Sequence, residues 1–150
     1  MRNCCLVLIL MLAGCAMVQP SDGWRRAETK GFTFKLPPSL QLFSGNSADS
    51  HIVQYTNEQM TATFDEGASA GEPLDSLGKY PEYSSDTAII HGKGVQIVSF
   101  DIPPGPGHRF DYAIAASYRS IGLTVYIHCR TKADYAVATK IFKTVRFKLF

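Results

Sequence analysis

The chain has 150 residues, 45% of them hydrophobic and 19% charged, with 15 Lys and Arg against 13 Asp and Glu and a formal net charge of +2. That length suits one domain and excludes several. Apart from the adjacent Arg25-Arg26, the basic residues stand singly along the sequence instead of in runs, so nucleic acid is not an expected partner.

Met1-Arg2-Asn3 is a basic start, Cys4 to Leu12 an apolar run, and Leu12-Ala13-Gly14-Cys15 a lipobox-like tetrapeptide. A membrane-spanning helix needs roughly 20 apolar residues, so residues 1–14 read as a secretory signal that is removed and does not fold. Small residues before the cysteine let the backbone enter a peptidase site, and the thiol can carry a thioether-linked diacylglycerol. Cys4 and Cys5 lie inside the apolar run with no small residues before them, which leaves Cys15 as the lipid acceptor. This is the pattern of a bacterial lipoprotein; the alternative is ordinary secretory cleavage at Ala13-Gly14-Cys15-Ala16. Buried acyl chain contributes about 0.8 kcal/mol per CH₂ and one chain binds only marginally, so the two or three chains of such a lipoprotein hold stably. The expected address is the cell envelope, with the membrane as a partner through lipid on Cys15. Ala16 lacks the acidic charge of an inner-membrane retention signal, which points to the outer membrane, facing the periplasm, in a diderm host. Residues 15–23 then form a lipidated tether and residues 24–150 one domain. Cys129 remains the only free thiol of the mature chain, which rules out an intrachain disulfide there.

Trp24 to Glu28 reads as an edge strand, and Phe32, Phe34 and Leu36 alternate with Thr33 and Lys35 until Pro37-Pro38 stops the ladder. Ser44 to Ser50 is expected to be a polar loop, and His51 to Thr56 with Met60 to Phe64 a hairpin around Asn57-Glu58-Gln59. Leu74, Leu77 and Tyr80 at helical spacing predict a short helix from Pro73, limited by Gly78 and Pro81. Thr87 to His91 and Val95 to Asp101 flank Gly92-Lys93-Gly94 as a second hairpin. Pro103-Pro104-Gly105-Pro106-Gly107 cannot pair inside a sheet and predicts an exposed loop. Arg109 to Arg119 and Leu123 to Arg130 are long strands joined at Ser120-Ile121-Gly122. Val125, Ile127 and Cys129 share one face, which predicts a buried, inert thiol. Thr131-Lys132-Ala133-Asp134 fits a capping box opening a helix with Ala133, Ala136, Val137, Ile141 and Val145 on one stripe. The tail from Val145 predicts a last short strand.

Trp24, then Gly31-Phe32-Thr33-Phe34-Lys35-Leu36-Pro37, and the terminal Ile141-Phe142-Lys143-Thr144-Val145-Arg146-Phe147 resemble the PsbP-like domain, which bacteria also use in DcrB-like lipoproteins. One departure is Leu40, where that family often has an aromatic. The resemblance implies an α+β fold, a central antiparallel sheet flanked by helices in an α/β/α sandwich. It also implies a binding or assembly role without shared chemistry.

Residues 16–100 hold six basic against ten acidic side chains, and residues 101–150 eight against three. Interleaved strands are expected to mix the halves and cancel the asymmetry; the alternative is a basic partner-binding face. His51, His91, His108 and His128 form no pair at metal-ligand spacing, and no nucleophile elbow or phosphate loop occurs, so neither a metal nor another cofactor is expected. Asp65-Glu66, Asp75, Glu82 and Asp86 have no spacing that pairs an acid with a base. Six tyrosines, Tyr80, Tyr83, Tyr112, Tyr118, Tyr126 and Tyr135, suit cross-strand packing or an interface. The expected function is a non-enzymatic envelope binding or assembly module with a protein partner. The alternatives are an envelope hydrolase or metal-dependent enzyme with a dispersed site, or an immunity or inhibitor lipoprotein. The candidate recognition element is the proline loop with its flanks, namely Pro103, Pro104, His108, Arg109 and Tyr112, because prolines limit ordering entropy and Arg and Tyr anchor interfaces.

Overall fold

The computed structural model describes residues 23–45, 51–67, 70 and 73–148. The signal, the lipobox at Leu12 to Cys15 and the tether up to residue 22 lie outside the described residues, as do residues 46–50 of the expected polar loop. Among the described residues, ten strands form two antiparallel sheets. The larger contains β3 (Gln41–Gly45), β4 (His51–Thr56), β5 (Met60–Glu66), β6 (Ser84–Ile90), β7 (Lys93–Asp101), β8 (Tyr112–Tyr118) and β9 (Leu123–Cys129), in the order β3-β4-β5-β9-β8-β7-β6. The smaller contains β1 (Arg25–Glu28), β2 (Phe32–Leu36) and β10 (Arg146–Phe147), in the order β1-β2-β10. The α-helix α1 (Tyr135–Thr144) precedes β10.

Period-two alternation decides the faces. Ala62, Phe64, Ile114, Ala116, Val125, Ile127 and Cys129 are buried on one face of the large sheet, beneath α1 and the small sheet. The sheets are joined by an aromatic cluster in which Phe34 stacks on Phe64 at 3.8 Å and Tyr55 meets Phe34 edge-on at 5.9 Å. Arg25 crosses the Tyr55 ring at 5.4 Å and donates to the Leu40 carbonyl.

The expected α+β fold is corrected: strand takes up 50% of the described residues and helix of all kinds 19%, so the fold is β-rich. No α/β/α sandwich forms among the described residues, because a second helical layer is lacking. Leu74–Lys79 is a single 3₁₀ segment, started by Pro73 and followed at once by extended Tyr80. Gln41–Gly45, whose last residues were expected in a loop, adds an edge strand, with a register shift between Leu42 and Ser44. The β6–β7 turn is shorter than expected. His91 and Gly92, with φ of 48° and 75°, make a two-residue hairpin turn closed by Ile90 opposite Lys93. The helix stripe is rotated: Ala138, Ile141 and Phe142, with Val145 beyond the end, are buried, whereas Ala133 and Ala136 are exposed.

Candidate functional site

On the opposite face of the large sheet, the 3₁₀ segment covers only part of the surface. Leu74 is buried there with Val98, Phe100, Ala113 and Ala115. The cross-strand rows explain what stays open. Phe100, Ala113 and His128 are neighbours in one row, and Val98, Ala115 and Tyr126 in the next. The two alanines on β8 form a trough between larger side chains on β7 and β9. Leu77, Tyr80, Phe100, Ile102, Tyr126 and His128 line the resulting cleft of about 310 Å³. Tyr80 stacks on Phe100 at 4.7 Å and 19° between planes, which fixes one wall. Burial lowers the pKa of His128 from its ordinary 6.5, so near neutral pH the imidazole is uncharged and can donate and accept. Burial raises the pKa of Tyr126, and the carboxylate of Asp65 on the neighbouring strand raises it further.

Ile102 belongs both to this cleft and to the proline loop. The loop closes on itself, since the Ile102 N–H donates to the Asp111 carbonyl at 2.8 Å and the His108 N–H to that of Gly105 at 3.2 Å. His108 Nδ1 donates to the Pro103 carbonyl at 2.8 Å, and Arg109 Nη2 to the Asn57 carbonyl in the β4–β5 turn, also at 2.8 Å. The loop is therefore pinned at its base while Pro103, Pro104, His108 and Arg109 remain exposed. Tyr112 is placed differently. It is half-buried on the covered face, where Lys132 lies over its ring at 5.2 Å and reaches Asp101 at 3.0 Å. Four of the five expected recognition residues share a surface, and Tyr112 is a packing residue behind it.

Neither a protein-family model nor a curated protein sequence matches this chain.

The remaining candidates are dispersed. His51 and His91 are exposed, and His91 Nε2 bonds the Lys143 carbonyl at 2.9 Å. Among the described residues, no three His, Cys, Asp or Glu side chains gather as a metal site would require. Cys129 is fully buried, and burial, aided by the Asp134 charge, pushes its thiol up to about 12. A larger groove of about 510 Å³ runs beside edge strand β6, with Ile89 and Ile97 among its lining and Lys143 at its rim. Sequence reading missed Leu77, Tyr80, Phe100, Tyr126 and His128 as one site because they come from three distant segments. The local signal available was alternation, which sets Tyr126 and His128 opposite Val125 and Ile127.

Proposed function

We propose that the chain is a lipid-anchored envelope protein, held on Cys15 and serving as a non-enzymatic binding or assembly module, at the outer membrane where the host is diderm. Its recognition surface is the aromatic cleft together with the pinned proline loop. The observation that carries this reading is the open aromatic trough at Phe100, Tyr126 and His128, with an exposed loop of low conformational freedom at its edge. Aromatic walls bury apolar area at low entropic cost, and neutral His128 and Tyr126 supply polar ends for orientation.

The test is quantitative co-purification from membranes with the full chain, Tyr126→Ser, and a chain whose residues 103–108 are replaced by Gly and Ser. Loss of the same partner in both variants, with an unchanged melting temperature, is expected. Unchanged partners in both would refute the surface.

A further inference from the structure

The outer face of the small sheet carries a second, differently built surface. Arg26 on β1 lies directly opposite Lys35 on β2, a like-charge pair that opposes folding unless something compensates it. Arg146 on β10 lies opposite Thr33, on the same face and two residues along β2 from Lys35. The Lys35 N–H donates to Thr144 Oγ1 at 2.9 Å, which ties the end of α1 to β2 and sets Lys143 beside this row. Together with Lys148, these side chains line a groove of about 440 Å³. Lys148 meets Glu28 at 3.3 Å, whereas among the described residues no carboxylate lies within ion-pair distance of Arg26, Lys35, Lys143 or Arg146. The expected cancellation of charge between the two halves thus fails here. Strands from both halves do interleave in the large sheet, but the small sheet gathers cations from residues 26 to 35 and 143 to 148.

We propose that this groove binds phosphate-bearing headgroups of an anionic membrane surface and sets the orientation of the domain on that membrane. Charge complementarity favours an anion, and chain length favours a surface. Arg26 follows Cys15 by eleven residues, a distance of no more than about 40 Å at full extension, so a lipid on Cys15 keeps the groove close to headgroups. Attraction of this kind acts within a Debye length, about 10 Å at 0.1 M salt. The choice of occupant rests on the membrane address proposed above; the cationic chemistry of the groove does not.

The experiment uses the full chain with Cys15→Ser, so that no acyl chain contributes. Its binding to phosphatidylcholine vesicles, with and without phosphatidylglycerol, is compared with that of a chain also carrying Arg26→Gln, Lys35→Gln, Lys143→Gln and Arg146→Gln. Residues 1–22 are common to both, so the difference isolates the groove. The expected result is tighter binding to phosphatidylglycerol vesicles that weakens with salt, resists competing inorganic phosphate, and falls at least about tenfold in the neutralised chain. An Arg26→Lys, Arg146→Lys chain keeps the binding, which separates charge from fold. Equal binding by wild-type and neutralised chains, or displacement by inorganic phosphate at matched concentration, overturns the proposal. Failure of the anchor shows separately, as unmodified Cys15 in the mass of the wild-type protein.

Discussion

Cys129 illustrates how a side chain's environment decides its chemistry. Its Sγ approaches the Tyr112 carbonyl at 3.8 Å and has no exposed surface, and burial disfavours the reactive thiolate. Thiol reagents should leave the Cys129 peptide unmodified in the native protein and label it after denaturation, as read by peptide mass mapping. Cys129→Ala should cost about 1 kcal/mol, as a small core truncation does. His128 gives a pH signature. Its unfolded imidazole takes a proton near 6.5, whereas the folded one resists protonation because burial lowers its pKa. Stability is then intact above about pH 6.5 and declines as pH falls toward the lower folded value. Denaturation midpoints from pH 7.5 to 5 should fall in the wild type, with that component missing in His128→Gln. The alternation that placed Cys129 under cover was legible in the sequence. The burial of His128 was not, because it depends on a 3₁₀ segment some fifty residues earlier.

At the scale of elements, α1 shows what a sequence pattern conveys and what it omits. Its approach was legible: the capping box at Thr131 opens a 3₁₀ turn, Lys132–Asp134, that leads directly into α1, with Asp134 Oδ2 accepting from the Thr131 N–H at 3.1 Å and the Thr131 hydroxyl at 2.8 Å. The buried stripe was not, since small Ala133, Ala136 and Ala138 suit more than one face and the choice falls to the partners. Ala138, Ile141 and Phe142 face the sheets, and buried Tyr118 donates to the Phe142 carbonyl at 2.7 Å. Tyr118→Phe should therefore lower stability by about 1 kcal/mol in a denaturant titration, since the Val145 N–H still bonds that carbonyl. Edge strand β6 makes a contrasting case. It pairs regularly with β7 along its whole length, has one charged residue, and leaves Ile89 73% exposed. Ile89→Lys should change folding stability by no more than about 0.5 kcal/mol while reducing concentration-dependent association in light scattering.

For the whole molecule, the order of strands was less legible than their existence. Most strands follow from alternation, but which pairs form depends on long-range contacts such as β5 on β9 and β2 on β10. The expected helical layers gave way to a β-rich arrangement because Pro73, Gly78 and Pro81 leave only a 3₁₀ segment on one face. The small sheet and α1 cover the other. Phe34 is the principal link between the sheets, and Phe34→Ala should cost about 3–5 kcal/mol. Through its opposite side, the same small sheet presents the cationic groove. The aromatic cleft lies on the far face of the large sheet, so a molecule held at one surface keeps a second free for recognition. The intact mass of the wild-type protein extracted from its own host's membranes tests the anchor on Cys15 most directly: a chain beginning at Cys15 and carrying a diacylglycerol is expected, and an unmodified Cys15 in the mature protein would refute it.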